Sequence, residues 1–406
     1  MQTYDMQPEE FYIEDKQTDD NGNTTYTLIP IQGEQACRSC GSINIIKHGV
    51  YNRKVRDLPS FKSNVGLIIK GNRYLCKDCG NSWVNVYESI DVNSKTTIRL
   101  RNYIRDRSLS VPFTNIQDEL SISDTTVRNI FDDYIAELEE QHERYAPSVL
   151  GIDENHLMNQ YRAVFVDVEK RTLIDMLPNR AKKDVKAYIS GLPDYDTAIQ
   201  VVTMDMWKPY KEAVDEVIPD AVVVVDHFHV IKEVNKVLED IRVSLNKTID
   251  SKDRRYLRNG RFLLLSSKEK LTKEKTTRLR EIFERFPQFA RPYHMKEMIR
   301  KIYEQPTREE AESWYKNIKV IMSEYEATDS SLSGFESVFS MIDNWYDEIF
   351  NYFDYKYTNA ITENINKAIN DIADKGRGYS FKVLRAKAIF RQYSSKPVKF
   401  EYADID

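Results

Sequence analysis

The spacing of apolar residues divides the chain into stretches of different period. Near the start, Phe11-Tyr12-Ile13 and Tyr26-Thr27-Leu28-Ile29 flank Asp20-Asn21-Gly22-Asn23, and an Asn-Gly between strand-like runs predicts a hairpin. Residues 66–70 and 72–75 predict two short strands. From Ile98 to Leu138 the apolar positions take helical spacing. Residues 114–120 read as one short helix, Ser121-Ile122-Ser123 as a turn, and 124–131 as the opening of another helix with Ser123 or Asp124 as its N-cap. Beyond Pro147, short apolar runs bounded by polar residues predict buried strands at 148–153, 162–168, 172–177, 199–205 and 221–226. Helices over 181–192 and 210–217 separate the last three. Residues 231–346, rich in Lys, Arg, Glu and Leu with few Gly or Pro, predict a large helical insertion, and 357–367 predict a further helix.

Acidic residues end several of these runs. Asp153 follows Val149-Leu150-Gly151-Ile152, Asp205 follows Ile199-Gln200-Val201-Val202-Thr203-Met204, and Glu363 lies in the helix predicted near the C-terminus. Ligands of open α/β sheets gather outside the carboxyl ends of strands. Carboxylates crowded there resist ionising unless a cation joins them. Carboxylate oxygens suit magnesium or manganese, and a pair of such ions can cut and join phosphodiesters.

Composition narrows the setting. A chain of 406 residues has room for two or three domains, and its 41% apolar content builds ordinary cores. No apolar run approaches the length of a membrane span. The beginning, Met1-Gln2-Thr3-Tyr4-Asp5, lacks the basic and apolar regions of a signal peptide, so a cytoplasmic protein is expected. The net charge of −5 hides an asymmetry: residues 1–36 carry −7, whereas residues 37–110 carry +9. The basic block fits a phosphate backbone.

All four cysteines fall in two C-x-x-C pairs, Cys37/Cys40 and Cys76/Cys79. With none left over and no secretion signal, they predict a structural zinc site of four thiolates in a zinc ribbon rather than disulfides. Around them Arg53, Lys54, Arg56, Lys62, Lys70 and Arg73 interleave with Tyr51, Phe61 and Tyr74, a pattern suited to phosphate contact. The two helices that follow have the layout of a helix-turn-helix, closed by Ile116, Leu120, Ile122, Val127 and Ile130. Its second helix would offer Thr125, Thr126, Arg128 and Asn129 to a major groove; a helical hairpin with no DNA role shares the pattern.

The order β-β-β-α-β-α-β after Pro147 is that of the RNase H-like fold, whose first and fourth strands deliver acidic ligands. It selects Asp205 over Asp226 as the second. Here the chain closely resembles the ISL-three family of bacterial insertion-sequence transposases of the DDE type. The resemblance rests on the paired C-x-x-C ribbon, Val55-Arg56-Asp57-Leu58-Pro59, the helix-turn-helix, Gly151-Ile152-Asp153-Glu154, Asp226-His227-Phe228-His229-Val230, and Thr358-Asn359-Ala360 with Glu363-Asn364-Ile365-Asn366. Thr358 and Ala360 stand where Ser and Gly are more usual, and the acidic leader has no counterpart.

The residues and the resemblance together predict a multidomain α/β protein: an acidic leader or hairpin (1–36), which the resemblance does not explain, a zinc ribbon (37–92), a helix-turn-helix (93–146), and an RNase H-like core in two parts (147–230 and 347–406) around the helical insertion (231–346). It implies an enzyme that binds the terminal inverted repeats of its element as double-stranded DNA and then cleaves and joins strands, with a second copy in a homodimer and target DNA as its partners. Two magnesium or manganese ions would lie about 3.5–4 Å apart. Asp153 would bridge them, with Asp205 and Glu363 each holding one. A catalytically inactive DNA-binding regulator and an RNase H-like nuclease without strand transfer are the alternatives.

Several neighbours stay open in the sequence. Strand alternation turns Glu154 away from Asp153. Asp226 and His229 lie close to the expected site, either as DNA or ligand-positioning groups or as a hydrogen-bonded structural pair. Residues 252–261 and 268–280 are strongly basic, either tracking DNA or forming solvated helix faces. Trp314 and Trp345 read as core anchors. Lys367, Lys375, Arg377, Lys382, Arg385 and Lys387 form a basic stretch near Glu363, placed to grip phosphates.

Overall fold

The computed structural model describes residues 10–60, 63–326 and 330–391. Phe61 and Lys62, two of the expected phosphate-contacting group, lie outside the described residues. The chain forms two compact units: one of residues up to 142 together with those from 372 onward, the other of residues 143–371.

In the first unit, β1 (Phe11–Thr18) and β2 (Thr24–Pro30) form the expected hairpin. Asp19 closes it by accepting from the amides of Asn21 and Asn23 at 3.0 and 2.8 Å, and Gly22 takes φ +81°. The hairpin is not a separate leader. β2 runs parallel to β4 (Ser63–Cys76), which pairs antiparallel with β3 (Ile45–Ser60) and β5 (Ser82–Val84). Phe11, Leu28, Val55, Leu67 and Ile69 make the shared core. Residues 66–70 and 72–75, expected as two strands, are one: Gly71 sits between them against the ring of Tyr51, where a side chain would clash, so the glycine serves packing rather than a turn.

Three helices follow, α1 (Ile98–Ser110), α2 (Phe113–Leu120) and α3 (Asp124–Gln141). Ser121 reverses the chain in the left-handed region (φ +49°), and Ser123 caps α3 by accepting from the Thr126 amide at 3.2 Å. Ile116, Leu120, Val127 and Ile130 are buried as expected, but Ile122 is only half-buried.

The second unit is built on a five-stranded sheet of β6 (Val149–Leu157), β7 (Gln160–Asp167), β8 (Thr172–Met176), β9 (Val201–Met204) and β10 (Val222–Val225), in the order β10-β9-β6-β7-β8. β6, β9 and β10 are parallel; β7 and β8 are antiparallel to their neighbours. The helices α4 (Lys182–Ser190), α5 (Tyr195–Ala198) and α6 (Lys208–Val217) lie between β8 and β10 in the chain. β6 is longer than expected. It runs on through Asp153 to a tight turn at Met158 and Asn159, both at positive φ, and returns as β7. Its pairing with β9 nevertheless stops at Ile152 and Met204, so Asp153 still stands where two parallel strands part.

Between His227 and Tyr355 the described residues form α7 (His227–Leu245), α8 (Ser251–Leu265), α9 (Lys273–Arg285), α10 (Ala290–Arg300), α11 (Arg308–Glu326), α12 (Phe335–Asn344), α13 (Tyr346–Phe350) and α14 (Tyr352–Tyr355). Val230, Val234, Tyr315, Phe335 and Phe350 are among the residues of its main core. Trp314, an anchor as expected, packs there and donates its indole N–H to the Met298 carbonyl at 2.8 Å.

α15 (Ala360–Lys375) returns to the sheet, and α16 (Phe381–Phe390) packs with α1 in the first unit. Residues 347–406, taken together from sequence, are therefore divided. The fastening is Lys387: its side chain is buried, its ammonium donates to the carbonyls of Ser108 and Val111 (3.0 Å to the latter), and it lies over the ring of Phe113. Arg385 pairs with Glu139. These two cations belong to packing rather than to a phosphate-gripping surface.

Candidate active site

Three acids stand at the same end of the three parallel strands. Asp153 follows the last β6–β9 pair, Asp205 follows β9, and Asp226 follows β10. They are used differently. Asp226 is buried, and both its oxygens accept backbone N–H groups: Oδ1 from Phe228 and Oδ2 from Asn359, each at 2.9 Å. It caps α7 and ties down the chain just before α15. Asp205 instead opens on a cleft of about 520 Å³ that Asp153, Trp207, Tyr210, His229, Lys232 and Lys236 also line.

Asp205 Oδ1 receives His229 Nε2 at 2.8 Å and Asn359 Nδ2 at 3.1 Å. Asp153 Oδ1 accepts the Glu154 amide at 2.7 Å, and Oδ2 accepts Asn366 Nδ2 at 2.8 Å. Burial and then the charge of Asp205 push the Asp153 carboxyl up to about 7. Burial works against charging His229, but the hydrogen bond and charge of Asp205 outweigh it and raise its pKa. The side chains of His229 and Asp226 make no hydrogen bond with each other: His229 binds Asp205, and Asp226 binds the amides of Phe228 and Asn359.

α15 lies against β6 because Gly151 has no side chain. A Cβ there would come within 2.7 Å of Thr362 Oγ1. Asn155 Nδ2 adds a bond to the Asn366 carbonyl at 3.2 Å. Asn359 reaches Asp205 and Asn366 reaches Asp153, and Glu363 is four residues after the first and three before the second, on the same helix face. Glu363 is half-buried, and its carboxylate has no hydrogen-bond or ion-pair partner among the described residues. Glu363 does not close up with the two aspartates: among the described residues, the four cysteines are the group whose donor atoms all lie within 4.8 Å of one another.

Glu154 was expected to turn away. It pairs with Arg180 but lines the same cleft as Asp153, since β6 has lost its β9 neighbour there and both its faces border the opening. Sequence reasoning passed over Asn359 and Asn366 as site residues; their spacing around Glu363 was the available signal.

The cysteines make a zinc site. Cys37 Sγ lies 3.6 Å from Cys79 Sγ, and Cys40 Sγ 3.7 Å from Cys76 Sγ. A tetrahedron with zinc–sulfur bonds near 2.3 Å needs sulfurs about 3.8 Å apart. The two knuckles repeat one geometry: the Gly41 and Gly80 amides donate back to the Cys37 and Cys76 carbonyls at 2.9 and 3.0 Å, with φ +75° and +74°.

The other DNA-contact candidates are unequally free. Lys54, Arg73, Thr125, Asn129 and Arg377 are exposed. Arg53 donates to the carbonyls of Asp91, Val92 and Ser94, and Arg56 to Asn64 and the Leu120 carbonyl. Thr126 is bound to the Ser123 cap, and Arg128 pairs with Asp124 over the ring of Phe113.

Comparison with known proteins matches this arrangement at both ends. Residues 150–388 match the ISL3 family of DDE proteins, described as a transposase, and residues 33–79 match the zinc-finger of transposases IS204/IS1001/IS1096/IS1165. The transposase for insertion sequence element IS1001 of Bordetella parapertussis is 23% identical over 392 residues, covering 92% of this chain and 93% of its own length. No helix is long and apolar enough to cross a membrane among the described residues. With a matched span of more than half its length, the chain belongs to the ISL3 family of DDE transposases.

Proposed function

We propose that this transposase binds the terminal inverted repeats of its insertion sequence, cleaves the DNA there and joins the freed ends to target DNA. The observation that carries the reading is the α15 face: Asn359 and Asn366 engage the two aspartates, and Glu363 lies between them without a partner of its own among the described residues. Asp153, Asp205 and Glu363 form the catalytic triad. The strand order β8-β7-β6-β9-β10 with β7 reversed supports an RNase H-like core, and α2, its turn and α3 support a helix-turn-helix.

The donor set fits magnesium or manganese. It is all oxygen, Asp153 resists ionising beside Asp205, and Asn359 Oδ1 and Asn366 Oδ1 are buried without partners among the described residues. Such ions, when bound, polarise the scissile phosphate and activate the attacking water or 3′-hydroxyl. The chain's residues supply the rest. Asn366 and the Glu154 amide fix both oxygens of Asp153; His229 and Asn359 fix Asp205 Oδ1 and leave Oδ2 towards the cleft. Lys232 on α7 offers positive charge to phosphates along the cleft wall, while Lys236 beside it pairs with Glu233 at 3.5 Å. Exposed Lys54, Arg73, Thr125, Asn129 and Arg377 carry end recognition; Arg53, Arg56, Thr126 and Arg128 shape the surface that holds them. Synapsis of two ends calls for a homodimer, working in the bacterial cytoplasm on the nucleoid.

The test is a purified-protein assay on labelled element ends with magnesium. Cleavage followed by joining is expected. Cleavage alone would reassign the chain as a nuclease, and binding without cleavage as a regulator.

A further inference from the structure

α8 carries an unusual outer face. Leu257, Gly260, Leu263 and Leu264 are buried against the neighbouring helices, and Gly260 allows α9 so close that a Cβ would meet Ile282 Cδ1 at 2.6 Å. At 100° per residue, the stripe directly opposite holds Ser251, Arg255, Arg258 and Phe262, spaced i, i+4, i+7 and i+11. Lys252 and Asn259 border it. All six are exposed, and Phe262 is 72% exposed at the centre of a face where a solvated helix would carry a polar residue. Arg255 and Arg258 have no acidic partner among the described residues, whereas Lys252 lies close enough to Asp250 to help lower its carboxyl pKa, and Arg261 pairs with Glu239 of α7.

We infer that this face grips the duplex of the element end through its phosphates, with Phe262 inserted from the minor groove as a wedge between base pairs. The inference rests on the transposase reading and adds a DNA contact that neither the zinc ribbon nor α3 provides. Two arginines without an acidic partner, with Lys252 beside them on one helix, suit a polyanion rather than an apolar protein groove. An apolar side chain on the same stripe, one turn beyond Arg258, matches the way minor-groove binders unstack a base step while basic groups hold the backbone. The location is also suitable. Glu239, which anchors Arg261 beside Phe262, is thirteen residues along α7 from Asp226, so α8 meets DNA about 20 Å from the acidic cleft. None of these side chains is placed to read a particular base sequence, and the contact is therefore expected to be sequence-neutral.

The experiment uses the full chain and a duplex carrying the terminal inverted repeat of its own element, with 2-aminopurine placed at successive steps beside the cleavage site. Arg255→Ala/Arg258→Ala should lower the slope of log affinity against log salt by about 1.8, which is about 0.9 for each of two phosphates no longer neutralised. Phe262→Ala should keep that slope and abolish a fluorescence rise that the wild-type protein produces at one step. These residues are exposed, so folding is not at stake, and unchanged melting temperatures check this. An unaltered slope in the arginine variant, or an unaltered fluorescence rise in the Phe262 variant, overturns the inference. So does a shift from dimer to monomer with DNA affinity unchanged, which would give the face to a second copy of the chain. If the wild-type protein fails to bind or cleave the end at all, it is the proposed function that falls; if it cleaves and the variants match it, only the α8 contact falls.

Discussion

Asp153 is a carboxyl whose charge the folded protein disfavours. Its folded-state pKa, about 7, lies above the ordinary carboxylate value. The sign follows: the neutral form is favoured in the folded state, so the stability associated with this group is present at low pH and is lost as pH rises through about 7. Metal-free protein is therefore expected to melt at a lower temperature at pH 8 than at pH 6, and added magnesium should reverse this at pH 8. Asp153→Asn should flatten the dependence, checked by thermal melts in chelator across that range. A second residue-scale consequence concerns Gly151. Gly151→Ala drives a methyl into Thr362 Oγ1 and should destabilise the catalytic unit by about 1–3 kcal/mol. Adding Thr362→Ala should recover most of the loss in a denaturant titration; no recovery would place the strain elsewhere. Asp153, Asp205 and Glu363 were legible as acids after apolar runs or in a late helix. The difference between Asp205, open to the cleft, and Asp226, held by two N–H groups, exists only in the folded chain.

At the scale of elements, the strands of the catalytic sheet were legible because buried parallel strands read as apolar runs. Their ends were less so. β6 continues past Asp153 because it pairs with β7 after leaving β9, and no local signal marks that change of partner. The role of two cations on α16 was hidden for a similar reason: Lys387 and Arg385 look like surface cations in sequence, and only packing shows one buried beneath Phe113 and the other paired with Glu139. Lys387→Met should destabilise the first unit by about 2–4 kcal/mol, since it strands two carbonyls that the ammonium satisfies. Chemical unfolding followed by Trp83 fluorescence checks this, and a change below about 0.5 kcal/mol would show that those carbonyls are not buried partners of Lys387.

Across the whole molecule, the charge asymmetry along the chain has a structural counterpart. The acidic hairpin and the basic ribbon share one sheet, joined by the β2–β4 pairing and by the ion pair between Glu14 and Lys70. Part of the +9 of residues 37–110 is thus neutralised within the protein, and Arg53 and Arg56 direct theirs to carbonyl and amide oxygens. The zinc site holds the two knuckles of that sheet together. Cys76→Ser should release one zinc per chain, measured by metal analysis, and unfold the ribbon. The central claim is that α15 delivers the third metal-binding carboxylate to the pair on the sheet. Its most direct test is the cleavage of a labelled element end in magnesium by Glu363→Gln protein, at concentrations where end binding is saturated. Binding within about twofold of wild type and cleavage reduced by a factor on the order of a thousand or more are expected. Cleavage at a comparable rate would contradict that claim.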